Sequence, residues 1–203
     1  MLLDKNIAMN KTKITIKFAV SSCRAIAFFV LSFCIFSAVQ AQYHPAINVK
    51  TAANTLADTA KKLADNTVVY DPSYVKISYP NGDVPPKRGV CTDVIVRAFR
   101  RAFKWDLQKS VYEYRKARIL ATNTNIDHRR VKNLMSYFDS VKELKNDLSG
   151  GYKKGNIIIW DLGKQLHIGI CVENNVIIHN ICCGQVIERM YMEDLVIRNY
   201  TWQ

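Results

Sequence analysis

The sequence predicts an α+β fold, with helices packed on an antiparallel sheet, and three observations predict it. Before Ser149-Gly150-Gly151 the apolar residues recur at helical spacing. After it they fall into short β-branched runs divided by turn residues. The third observation is length, because 203 residues give room for one domain and at most a small appendage.

The N-terminus reads as a leader. Lys5, Lys11, Lys13, Lys17 and Arg24 precede an uncharged run from Ala25 to Val39, and small residues follow at Val39-Gln40-Ala41. This predicts a secretory signal cleaved after Ala41, so that residues 42–203 form the mature single domain in the periplasm or outside the cell. An uncleaved anchor is the competing reading, but the apolar run is shorter than the roughly 20 residues that span a bilayer. Phe33 is bulky for a lipidation signal at Cys34.

Cleavage would lower the net charge from +12 to +8 by removing five basic residues and Asp4. A basic exported domain favours anionic partners, such as cell-wall polymers or an anionic envelope surface. No helix-turn-helix, finger or aromatic RNA-binding pattern occurs, so no nucleic-acid partner is expected. The mature part keeps only Cys91, Cys171, Cys182 and Cys183, too few for a disulfide scaffold.

Taken in order, Asn48 to Asp65 carries a helical stripe with Asn48 as its cap. Val68-Val69-Tyr70 and Tyr74 to Tyr79 look extended, and Tyr79-Pro80-Asn81-Gly82-Asp83 is a turn signal. A helix is expected from Cys91 to about Lys104, a second from about Asp106 to Leu120, and a third after Asn125-Ile126-Asp127 in which Val131, Leu134, Met135 and Phe138 share a face. Strands are expected at Asn156–Asp161, His167–Val172 and Val176–Ile181, with edge strands at Gln185–Met190 and Leu195–Trp202.

Cys91 stands at a helix start, where unpaired amides and the positive end of the dipole favour thiolate over thiol. A cysteine nucleophile also needs a base and a group that holds the base. His167 begins one strand, while His179 and Asn180 lie on the next. A two-residue turn at Asn174-Asn175 would put Asn180 on the His167 face, and a three-residue turn would put His179 there. In either register Cys171 is roughly 13–20 Å from Cys182 and Cys183 at about 3.3 Å per residue, so no metal site is expected. The plainer readings are that Cys91 is a small buried residue and His167 a satisfied core histidine.

A Cys opening a helix, Gly155-Asn156-Ile157-Ile158-Ile159-Trp160, His167-Ile168-Gly169-Ile170 and Ile177-Ile178-His179 together resemble the NlpC-type papain-like cysteine peptidases of cell-wall peptides. More narrowly, Val69-Tyr70-Asp71-Pro72, Tyr79 to Pro85, Arg88 to Asp93, Asn125 to Leu134, Trp160-Asp161-Leu162 and His179-Asn180-Ile181 resemble the exported domain-of-unknown-function family 1287. The resemblance implies a papain-like (NlpC-type) fold without a cofactor, Cys91 as nucleophile, His167 as base and His179 as orienting group. It also implies Tyr79 near the oxyanion site, with the Cys91 amide as an oxyanion donor. The usual Asp-Cys-Ser-Gly is replaced by Val90-Cys91-Thr92-Asp93, and Asp93 is either part of the site or a helix cap. Asp127-His128-Arg129-Arg130 offers guanidinium groups to a substrate carboxylate, or else a capped basic turn.

The expected activity is that of an exported cysteine amidase or peptidase acting on peptidoglycan stem peptides. The alternatives are a catalytically silent wall-binding module on the same fold and a thioester-forming acyltransferase.

Overall fold

In the computed structural model, residues 44–203 are described; the leader and the expected cleavage point lie outside the described residues. Asn48 caps helix α1 (Val49–Lys61), its side chain accepting from the Lys50 amide at 3.1 Å. The helix buries Ala52, Leu56, Ala57 and Ala60, so small residues let it lie close to its neighbours. The segment after it is less regular than the sequence suggests. Its strands are the short Val69–Tyr70 (β1) and Arg88–Gly89 (β2), which pair in parallel, and residues 74–79 belong to no strand.

Helix α2 (Cys91–Phe103) is the centre of the packing. It buries Val94, Ile95, Ala98 and Phe99 and ends on Lys104 in the left-handed region. Phe99 meets Phe103, Trp105, Phe138 and Trp202 at centroid distances from 5.2 to 6.2 Å. Removing such a ring would cost about 3–5 kcal/mol. Arg97, buried on the same helix, holds Asp83 through Nε and a terminal nitrogen at 3.0–3.2 Å, which ties the Tyr79–Asp83 turn to α2. The turn itself contains a cis Tyr79-Pro80 peptide and Asn81 at φ 62°.

Asp106 caps α3 (Leu107–Lys116), which stops short of Leu120. The expected third helix divides into a 3-10 turn over Asp127–Arg129 and α4 (Val131–Phe138). Val131, Leu134 and Phe138 are buried as the spacing predicts, whereas Met135 is only partly covered.

Six antiparallel strands follow: β3 (Leu144–Asn146), β4 (Ile157–Asp161), β5 (Leu166–Glu173), β6 (Val176–His179), β7 (Val186–Arg189) and β8 (Val196–Trp202). Their order is β3-β8-β4-β5-β6-β7. Two expectations change here. β3 lies within the half read as helical, and β8, expected at an edge, sits inside the sheet between β3 and β4. The described residues are thus α+β, with four α-helices and a six-stranded antiparallel sheet.

Alternation divides the sheet residues between two cores. Ile157, Ile159, Ile168, Ile170 and Ile178 pack in the cluster that contains α2, while Ile158, Trp160, Cys171 and Ile177 form a second one. No helix among the described residues is long and apolar enough to cross a membrane.

Candidate active site

Cys91 is the first residue of α2, as its sequence context predicts, and it is 5% exposed. The backbone of Ile168, the residue after His167 on β5, is close enough to its sulfur to favour the thiolate. Leu166, the residue before His167, lines the same groove as Cys91. The sulfur therefore lies against the segment of strand that carries His167.

The expected thiolate is not what the surroundings favour. Burial pushes the Cys91 thiol up to about 11, with the Asp93 carboxylate adding to the effect, while the amides of Ile168, Thr92 and Cys91 oppose it. Desolvation outweighs the helix start, and the resting group is a thiol.

The register on β5 and β6 decides the second open point. Ile170 pairs with Ile178 and Cys171 with Ile177, and a bulge lies before Glu173. The turn itself is the two-residue Asn174-Asn175, with Glu173 opposite Val176, and the bulge shifts the register by one, so His179 shares the His167 face. His167 Nε2 lies 2.7 Å from His179 Nδ1, and His179 Nε2 lies 2.5 Å from Glu188 Oε1 on β7.

The carboxylate assigns the protons along this chain. Glu188 accepts, so His179 carries its hydrogen on Nε2 and leaves Nδ1 to accept from His167 Nε2. Neutral His167 is then left with a lone pair on Nδ1, the form a general base requires. Burial lowers His167 to about 3, with His179 contributing in the same direction. Burial also lowers His179, against the upward pull of Glu188. Tyr191, 6.1 Å from the His179 ring, is raised by burial and by Glu188.

Asn180 has a different place. It is fully buried, and its Nδ2 donates to the Gly89 carbonyl at 3.3 Å, joining the end of β6 to the segment that leads into Cys91. Gly169 leaves room beneath the histidines, since a Cβ there would lie 3.3 Å from His179 Cβ and 3.0 Å from the Ile178 carbonyl.

Other expected site residues fall in different surroundings. Tyr79 packs on Tyr112 and donates to Glu113 Oε1 at 3.2 Å, and it does not line the groove of Cys91. Asp93 caps α2 by accepting from the Val90 amide at 2.7 Å, and it also pairs with Arg129. Arg129 is buried and directs its donors to Asp93 and to the carbonyls of Ser73 and Asp71. His128 is buried with Nδ1 unpartnered, and burial followed by the charges of Arg129 and Arg100 lowers it to about 3. Only Arg130 of this turn is exposed on the groove.

The groove has a volume of about 650 Å³. Besides Cys91 it is lined by Tyr70, Asn133 and Asp161, with Arg130, Lys132 and Lys164 at its rim. Tyr70 carries no signal in the sequence beyond its place in the motif Val69-Tyr70-Asp71-Pro72. Burial raises its phenol, and Cys91 is the next largest cause. Glu188 was missed as well; its signal was a lone acid in the expected Gln185–Met190 strand. Among the described residues no group of His, Cys, Asp and Glu is arranged to hold a metal ion. Cys182 and Cys183 form a disulfide with each other, while Cys171 is a free buried thiol.

Comparison with known proteins places this site in a family. The chain is 36% identical to the uncharacterized protein YijF of Escherichia coli (strain K12), in a match covering 78% of this chain and 87% of the relative. Residues 57–202 match the family model described as a domain of unknown function, DUF1287. With most of its length in that match, the chain belongs to the DUF1287 family.

Proposed function

We propose that the protein is an exported cysteine hydrolase of papain-like (NlpC-type) fold that cleaves an amide bond of peptidoglycan stem peptides. The observation that carries this reading is the His167–His179–Glu188 chain on the strand against which the Cys91 sulfur lies. Nucleophilic catalysis needs a thiol to attack, a base to move a proton and a group to hold the base, and in this reading Cys91, His167 and His179 with Glu188 take those parts.

In the reaction, the Cys91 sulfur attacks the amide carbonyl while His167 Nδ1 takes the thiol proton. The sulfur bonds to carbon, and the carbonyl electrons move to oxygen, where the Cys91 amide and the Tyr70 hydroxyl are the available donors. Collapse breaks the C–N bond, and His167 returns its proton to the leaving amine. Water then attacks the thioester, giving up a proton to His167, and the thiol leaves with that proton.

Burial disfavours charge on both partners at rest. Proton transfer is therefore coupled to attack, when the developing imidazolium gains the His179–Glu188 chain behind it. The substrate class rests on the export leader, the basic charge and the likeness of the motifs to wall peptidases.

Hydrolysis of purified stem peptides in water enriched in oxygen-18 tests the reaction. One labelled oxygen in each new carboxyl group is expected by mass spectrometry. Products that form only when an amine acceptor is added, without label, would assign an acyltransferase instead. Binding of wall fragments with no cleavage would leave a wall-binding module.

A further inference from the structure

Two groups of basic residues differ in what they face. Arg88, Arg97, Arg115 and Arg129 each face a carboxylate, from Asp71, Asp83, Asp127 and Asp93 respectively. These cations hold the fold. Arg130, Lys132 and Lys164 are exposed, line the groove of Cys91, and make no side-chain hydrogen bond or ion pair among the described residues. Against them the groove carries one acid on its wall, Asp161.

The three come from two different elements. Arg130 and Lys132 flank the start of α4, whose first amides add positive potential of the same sign. Lys164 stands on the β4–β5 turn, between Asp161 and Leu166. A concave site with cations on two walls concentrates anions beside its nucleophile, more than an open surface of equal charge would.

We infer that the groove selects substrates bearing a free carboxylate close to the bond that Cys91 attacks, with Arg130, Lys132 and Lys164 as the specificity-determining residues. This rests on the proposed function only for the groove being the substrate site. The carboxylate can be a side-chain group or a chain terminus, since the recognising chemistry is the same.

The test uses the nucleophile as a probe of its own surroundings. Iodoacetate and iodoacetamide alkylate a thiol by the same displacement. Sulfur bonds to the methylene carbon, iodide leaves, and the thiol proton passes to base. Only iodoacetate carries a carboxylate. The rate ratio of iodoacetate to iodoacetamide at Cys91, read by peptide mass spectrometry in the folded protein, is expected to exceed that of N-acetylcysteine by about tenfold. It should approach the free-thiol ratio in about 0.5 M salt and in the triple variant Arg130→Gln, Lys132→Gln, Lys164→Gln.

With a stem peptide and its neutral amide analogue, the triple variant should raise KM for the acidic member and leave kcat nearly unchanged. A Cys91 ratio no higher than that of N-acetylcysteine overturns the inference, as does one insensitive to salt or no reaction at Cys91 with either reagent. The two readings fail separately. Wall digestion that survives Cys91→Ala removes the hydrolase while a high alkylation ratio stands, and a flat ratio with Cys91-dependent digestion removes the carboxylate selection alone.

Discussion

His167 Nε2 and His179 Nδ1 meet at 2.7 Å across β5 and β6, and the other nitrogen of His179 meets Glu188. Because the carboxylate can only accept, one proton arrangement follows along the whole chain, and it ends in a lone pair on His167 Nδ1.

Glu188→Gln should reverse that arrangement. A Gln amide can donate to His179 Nε2, which moves the His179 hydrogen to Nδ1 and the His167 hydrogen to its own Nδ1, where a base is needed. The variant should lose about 10- to 100-fold in kcat, less than a buried triad carboxylate because Glu188 is partly solvated. Nitrogen NMR of His167 should report the changed tautomer, and thermal unfolding should change little.

His179 and Asn180 should separate by their effects. His179→Ala should lower kcat about 100-fold and His179→Asn should keep part of the rate, since an amide oxygen can still accept from His167. Asn180→Ala removes the bond to the Gly89 carbonyl, and its effect should appear chiefly as about 1 kcal/mol of stability in urea unfolding.

The buried Asp93–Arg129 pair should matter for folding. Arg129→Ala leaves the Asp93 carboxylate without its cation and should destabilise the protein by about 3–5 kcal/mol in chemical denaturation. Arg129→Lys should recover little, because Lys cannot reach Asp93 and the Ser73 and Asp71 carbonyls with one planar group.

Much of this arrangement was legible in local sequence. Asn48, Asp106 and the apolar periodicity located α1, α2 and α3, and the change of period located β4 to β6. Cys91 at a helix start and His167 on a strand were visible for the same reason. What was hidden depended on pairing at a distance. Leu144-Lys145-Asn146 becomes a strand only against Tyr200-Thr201-Trp202, and no short window shows that partner. The choice of His179 over Asn180 turned on a bulge before Glu173. Tyr79 was the tyrosine expected beside Cys91, but β1 pairs with β2 and sets Tyr70 opposite Gly89, and Tyr70 is the one that lines the groove. The protonation of Cys91 followed burial, which neither helix position nor neighbouring charge reveals.

Acid should destabilise the fold through its buried histidines. His128 and His167 are each lowered to about 3, from 6.5 for an unstrained imidazole. A histidine held neutral in the folded state binds its proton only on unfolding, so stability is full above the unfolded value and falls with pH until the folded value is reached. Between pH 6.5 and 3, each should remove roughly 1.4 kcal/mol per pH unit at most. His128→Gln, away from the groove, should reduce the slope in urea titrations across that range without altering the pH dependence of kcat.

In the proposed reaction the Cys91 sulfur attacks the substrate. The most direct measurement of that step is the release of new amino groups from purified peptidoglycan by wild type and by Cys91→Ala, with circular dichroism showing equal folding. Loss of more than about 1,000-fold is expected when the covalent nucleophile is removed. Release by Cys91→Ala at the wild-type rate would contradict that attack.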